Sequence, residues 1–497
     1  MSTATLSNIL EGTLSTVVFP YLKQNDVIAA LCTCRLTRAV ATDFLRTNIS
    51  NIFRESHTTD SSLYRFIRSL TRPSIQSLTA QDLFKINTLV LKRIGSLDNP
   101  RTHQMLSALE VRSLSKEMET MENKAIQALL AAIYQDLKVR HPRLTLDLNM
   151  GTQASLNWMN RNKALLQTII DLDFSGAGEP LRCLPPAIGL LTGLEQLNLR
   201  GNRLKMLPPE IGQLGALQNL DLSHNQLEIL PPEIGQLRRL ESLNLIDNQL
   251  TALPDEIGQC TALRNLYLIG NQLKTIPTTI GRLRNLQWLL LFNNELWTIP
   301  SEIEGCIALE KLTIAKNHLL EIPATIGRLP ILQELDLSGN LLTSIPPEIE
   351  QLQRLEKLNL SYNHLEKLPP EIGQLSNLKS LDLSVNHLGI LPSEIGDLRT
   401  LETLQLSRNR LGMLPPAIGR LRTLQKLDLS YNVLTAIPST IEGLTALREL
   451  DLSDNHLSAL PPEIGLIRGR LQRLDISHNP LLTTVEWQEP SFLEYFS

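Results

Sequence analysis

The chain has 497 residues, 42% of them hydrophobic, and carries 47 Lys and Arg against 51 Asp and Glu, a net charge of −4. That hydrophobic content excludes a wholly disordered chain, and the near-neutral balance argues against a bulk nucleic-acid binder. Aromatics are scarce at 4%, so something other than rings must fill the interior.

Charge is segregated: residues 1–165 carry 20 Lys and Arg against 13 Asp and Glu, and residues 166–497 carry 27 against 38. An acidic C-terminal portion favours encounter with a positive partner, although a solvated strand face accounts for the same acids. The opening Met1–Asn8 has no basic residue ahead of an apolar run, so no secretory signal peptide is expected. Its Ser/Thr-rich composition is shared by bacterial type III secretion signals and by frayed termini. Between Leu14 and Arg38, the residues Val18, Phe19, Tyr21, Leu22, Asp26, Val27, Leu31, Cys34 and Arg35 form a pattern that resembles the F-box. The leading Leu-Pro of that family is absent, and Leu36-Thr37 stand where it has an aromatic. The resemblance implies a helical module that docks on the Skp-type adaptor of cullin ubiquitin ligases, here through Val18, Phe19, Leu22, Val27, Leu31 and Cys34. The alternative is an ordinary three-helix core in which these side chains simply pack. Further along, Thr102 to Leu137 has helical periodicity, and the alternation of Leu144, Leu146 and Leu148 predicts a short strand. Ser155 to Ile170 predicts a helix whose Trp158 covers the open end of the element that follows.

From Leu194 onward the pattern Leu-x-x-Leu-x-Leu-x-x-Asn-x-Leu-x-x-(Leu/Ile)-Pro-x-x-Ile recurs every 23 residues. An irregular copy precedes it from Ile169, and the last begins at Leu471, one residue late because of the insertion around Arg468-Gly469-Arg470. Thirteen asparagines, Asn202 to Asn479, occupy one position of the unit. This is the leucine-rich-repeat signature. Alternation makes a short strand with leucines inward. The Asn amide is expected to bond the backbone of its own turn and of the next, and Pro-x-x-Ile opens a short helical turn. One unit cannot bury its apolar side alone, so neighbours stack and leucine replaces aromatics as filler. The expected fold is an α/β solenoid, a leucine-rich-repeat horseshoe with a parallel concave sheet, preceded by an all-α N-terminal domain. Its divisions are an F-box-like segment 1–50, a helical domain and cap 51–165, a solenoid of about 14 repeats over 166–485 and a C-terminal cap 486–497. Trp487, Phe492, Tyr495 and Phe496 are the candidates for that last cap. The repeats resemble the Ras-suppressor and plant intracellular Ras-group class, and bacterial effector-like repeat proteins more closely. That resemblance implies protein–protein binding.

The two residues flanking the last strand leucine provide an internal control. Most repeats read Asp or Asn before it and Ser after, as in Asp221/Ser223, Asp336/Ser338 and Asp428/Ser430. Four consecutive repeats read Asn244/Ile246, Tyr267/Ile269, Leu290/Phe292 and Thr313/Ala315. With Trp288 two residues before Leu290, the residues Ile246, Tyr267, Ile269, Trp288, Leu290 and Phe292 are expected to form one outward patch on the concave face, a candidate partner-binding site. Drift among duplicated repeats, or cover from elsewhere in the chain, is the bland alternative.

No Gly-rich phosphate loop, His-Glu-x-x-His or Gly-x-Ser-x-Gly occurs, so no catalysis, metal or cofactor is expected. Some bacterial repeat proteins carry a cysteine ligase domain after the repeats, and none is expected here in the few residues that follow. Five sparse cysteines (Cys32, Cys34, Cys183, Cys260 and Cys306) point to reduced thiols, Cys260 and Cys306 replacing core leucines. With no run of 18 apolar residues, no membrane span is expected. The resulting expectation is a cytoplasmic, non-enzymatic recognition protein, or a bacterial effector delivered to a host cytosol. It is either an F-box-like substrate receptor or a scaffold of the Ras-suppressor type; an enzyme with its site in the helical domain is a third class.

Overall fold

A computed structural model of the chain describes residues 111–142, 144–175 and 179–481. They fall into two compact units, 111–194 with 202–214, and 195–201 with 215–481.

The first unit opens with α1 (Val111–Arg140). Ile126, Leu129, Leu130, Ile133 and Leu137 recur at helical spacing, and all are buried. Their stripe packs toward α2 (Thr152–Arg161) and the strand β1 (Asp171–Asp173). Leu144 to Leu148 form no strand. The Asn149 amide donates to the Asp147 carboxylate at 2.9 Å, so a turn begins inside the alternation, and among the described residues no strand pairs with it. The helix expected over Ser155–Ile170 starts earlier and breaks at Asn162, whose side chain donates to Trp158 O at 2.8 Å; α3 (Lys163–Leu166) follows. Met159, one turn beyond the buried Ser155, is fully enclosed, whereas Trp158 is only half-buried. α2 lies against both α1 and the first repeat's turn, Pro186–Leu190, with Ser155 and Met159 as its enclosed residues.

The second unit is the repeat. Its strands, thirteen among the described residues, follow one another in the order of the chain. From β2 (Gln196–Asn198) to β14 (Arg473–Asp475) each pairs in parallel with the next, central leucine against central leucine, from Leu197↔Leu220 to Leu450↔Leu474. Each repeat then returns through a five-residue 3₁₀ turn, such as Pro232–Gln236. Proline suits its start because φ is preset and the missing N–H has no partner there anyway. The turn drives its isoleucine into the core: the Ile234 amide donates to Pro231 O at 3.0 Å, and its side chain is fully buried. The last turn differs, the extra residue near Arg468 converting it to a short α-helix, α4 (Ile464–Arg468).

The asparagine ladder runs opposite to expectation. Asn248 accepts from the Leu227 amide at 2.9 Å and donates to Leu222 O at 3.0 Å and Leu245 O at 3.2 Å. It thus ties its own turn to the preceding repeat, and the later ladder asparagines through Asn455 do the same. Cys260 and Cys306 are buried core residues whose thiols face Ile234 O and Ile280 O, and burial pushes each up to about 12.

Candidate functional site

The recurring Asp and Ser at the strand exit form a structural device. Asp221 Oδ1 accepts from both the amide (2.8 Å) and the hydroxyl (2.6 Å) of Ser223. The same double bond joins Asp336 to Ser338, Asn359 to Ser361, Asp428 to Ser430, Asp451 to Ser453 and Asp475 to Ser477. It is the Asp-type turn by which short polar side chains terminate regular structure. The Ser477 hydroxyl is the main reason the Asp475 carboxyl lies below its ordinary value.

The serine position does not face outward as strand alternation predicts. Ser223, Ser361, Ser384, Ser430 and Ser453 are buried. The following residue is left-handed, with φ near +54° at His224, Tyr362 and Tyr431, so the strand's alternation has ended by then. The divergent repeats are altered at this device. Asn244 still accepts from the Ile246 amide at 3.1 Å. Tyr267, Leu290 and Thr313 make no such bond among the described residues, and of the repeats outside this run Gln405 lacks it too, there without an apolar replacement. Three consecutive repeats thus lack an interaction that contributes about 1 kcal/mol in a typical case.

The parallel register brings the replacements together. Across β4 (Ser242–Asn244), β5 (Asn265–Tyr267), β6 (Trp288–Leu290) and β7 (Lys311–Thr313), Asn244 pairs with Tyr267, Tyr267 with Leu290, and Leu290 with Thr313. Ile246, Ile269 and Phe292 follow in adjacent repeats, their carbonyls accepting from His224, Asp247 and Gly270. With strands about 4.8 Å apart, the six residues are contiguous. Trp288 is 43% exposed, and Ile246, Tyr267, Ile269, Leu290 and Phe292 are half-buried. Burial raises the Tyr267 hydroxyl above its ordinary value. Lys316 Nζ sits 5.1 Å from the centre of the Phe292 ring. From β7 onward the row of Trp288 turns ionic: Lys311 lies 2.7 Å from Glu334, which also binds Lys357. The Lys311 hydrogen bond, then that of Lys357, holds the Glu334 carboxyl low.

Trp297 is not on this row. It follows the Asn294 turn, is 51% exposed, and stacks at a tilt on His318 with ring centres 5.1 Å apart. Sequence reasoning passed over Tyr362 and Tyr431, exposed by 64% and 49%. Each immediately precedes its ladder asparagine, and reading that column down the repeats would have singled them out. Val18, Phe19, Leu22, Val27, Leu31 and Cys34 lie outside the described residues, as do Trp487, Phe492, Tyr495 and Phe496. Among the described residues no His, Cys, Asp or Glu cluster could hold a metal ion, and no helix is long and apolar enough to cross a membrane.

Comparison with known proteins bears on this architecture. Models of a leucine-rich repeat region match residues 169–270 and 369–460, and a leucine-rich repeat model matches 307–365. No curated relative matches. Among solved structures, a Leptospira interrogans leucine-rich-repeat protein is 42% identical over 61% of this chain and 77% of its own, with a TM-score of 0.58. The plant peptide hormone receptor RGFR1, in complex with RGF2, is 34% identical over 59% of this chain and 57% of its own, with a TM-score of 0.51. The Toll–Spatzle complex of Drosophila gives 26% identity over 64% of this chain and 46% of that chain, with a TM-score of 0.58.

Proposed function

The chain belongs to the leucine-rich-repeat proteins, and from that premise we propose that it captures a partner protein on the outward sheet face, at the patch centred on Trp288, Leu290 and Phe292. Leucine-rich repeats are in general protein-interaction modules, typically without catalysis of their own, and two of the similar structures are complexes with a protein or peptide ligand. The observation that carries the reading is the loss of the strand-exit bond in three adjacent repeats, with apolar groups in its place. Drift within a duplicated array would not be expected to concentrate a destabilising change in neighbours and fill it with rings. Apolar and aromatic groups that are half-exposed and contiguous are the usual material of a binding hot spot. Replacing Trp288 and Phe292 together by alanine is expected to abolish partner capture while leaving the denaturation midpoint unchanged. Capture at the wild-type level by the folded variant would refute the assignment.

A finer version makes the chain a substrate receptor, its F-box-like segment docking on a Skp-type adaptor and its repeats selecting the substrate, in a reducing cytoplasm or a host cytosol. This rests on the residues between Leu14 and Arg38 that match the family pattern. The other version is a scaffold of the Ras-suppressor type. Co-purification of the full chain with the adaptor separates them: binding that disappears in Phe19→Ala with Leu22→Ala supports the receptor, and absence of binding supports the scaffold.

A further inference from the structure

Each repeat holds the residue before its ladder asparagine in the left-handed region. Gly201, Gly270 and Gly339 take it up without strain. His224, Asp247, Asn293, Asp454 and His478 are of the types that tolerate it best. The remaining five are Lys316, Tyr362, Val385, Arg408 and Tyr431, with φ between 52° and 55°. Bulky and β-branched side chains are disfavoured there, and all five fall in one run of repeats interrupted only by Gly339. The stacked turns impose this conformation on every repeat, so bulky side chains kept there at a cost, where glycine would serve, mark a surface to inspect for a use outside the fold.

What these side chains present is consistent along the run. Tyr362 and Tyr431 are largely exposed, and Arg408 lies over the Tyr431 ring, 4.6 Å from its centre. Lys316 starts the run against Phe292. Two residues further on, the parallel column reads His318, Leu341, His364, His387, Arg410 and Val433, with His364 and His387 stacked at 5.3 Å. Across six repeats these two columns contain three fixed cations and no carboxylate. None of Lys316, Arg408 and Arg410 is in a salt bridge among the described residues, whereas Lys311, Lys357 and Lys426 on the strands, and Lys379 just before one, each face a glutamate.

We propose that this edge, from Lys316 to Tyr431, is a second docking surface that receives an acidic, extended peptide segment of a partner protein. Lys316 and Arg408 stand four repeats apart, about 19 Å, the span of about six residues of extended chain. The fitting segment has acidic residues at each end of that span and apolar or aromatic ones between, set against Tyr362 and Val385. A nucleic acid fits worse, because Asp336, Asp382 and Asp428 on the adjoining strands would oppose evenly spaced phosphates. The surface adjoins the Trp288 patch at Lys316, which lies over the Phe292 ring, and Trp288 itself is outside it.

The test is panning of a phage-displayed random-peptide library on the full chain. Recovered sequences are expected to be enriched in paired acidic residues around an apolar core. Recovery should fall at least tenfold on Tyr362→Gly with Tyr431→Gly, a variant that restores the residue three other repeats use and is not expected to lose stability. Arg408→Glu with Arg410→Glu should lose it too, and Trp288→Ala, which leaves the Lys316–Phe292 contact in place, should retain it. A recovered pool without acidic enrichment, recovery unchanged in the first two variants, or displacement of the peptides by oligothymidylate would overturn the proposal.

Discussion

Tyr362 stands at φ +54° with 64% of its surface exposed, so its replacement by glycine tests whether the left-handed column is strained. An L-residue in this conformation costs about 1–2 kcal/mol. Glycine relieves that cost but loses about 0.5–1 kcal/mol through the extra freedom of its unfolded chain. Little packing is lost with so exposed a ring, and Tyr362→Gly is expected to gain about 0.5 kcal/mol. The reverse change isolates the backbone term. Gly201 has φ +73°, and a Cβ built there meets nothing within 4 Å, so Gly201→Tyr should lose about 0.5–1 kcal/mol with no clash to blame. Urea denaturation followed by circular dichroism reads both as midpoint shifts at constant slope. A lowered midpoint for Tyr362→Gly, or a raised one for Gly201→Tyr, would refute the strain argument and remove one support of the second docking surface.

Other expectations concern the ladder, the thiols and the ionic row. Asn294→Ala orphans the Leu273 amide and takes one of two side-chain donors from each of Leu268 O and Leu291 O, which Asn271 and Asn317 still serve, and should destabilise by about 2 kcal/mol in the same denaturation assay. Cys260 and Cys306, pushed up to about 12 by burial, should not react with a thiol reagent at pH 8 until denaturant is added; reaction in the native state would contradict their placement. Glu334 is held low by Lys311 and Lys357, so its stabilisation is present above the unfolded carboxylate value of about 4.3 and is lost as pH falls through the lower folded value. Glu334→Gln should therefore lower stability at neutral pH by less than about 1 kcal/mol, and the difference from wild type should close in acid.

The repeat was legible because it is written in leucines: a 23-residue period with fixed Leu, Asn and Pro positions admits one strand, one turn and one stacking mode. The patch was legible for the same reason, since a strict array makes departures visible, and register then places Tyr267 beside Leu290. Less visible was what alternation cannot encode. The burial of Ser223 and the bond that Asp221 makes to it depend on a left-handed residue one step later, and nothing in the hydrophobic pattern marks that residue. The direction of the asparagine bonds depends on how neighbouring turns stack in space. At Leu144 to Leu148 a two-residue period was present without a partner strand, and alternation alone does not make a sheet. Trp158 was favoured for its size, yet it is half-buried, and the enclosed residues of α2 are Ser155 and Met159.

The central claim is that the outward sheet face around Trp288 takes the partner. A photo-crosslinking residue at position 288 tests it most directly, against the same residue at the exposed Arg422 beyond the 3₁₀ turn of a later repeat. The account predicts one dominant protein adduct from position 288, suppressed by Tyr267→Asp with Ile269→Ser, and none from position 422. Equal adducts from both positions, or an adduct at 288 indifferent to those substitutions, would contradict it.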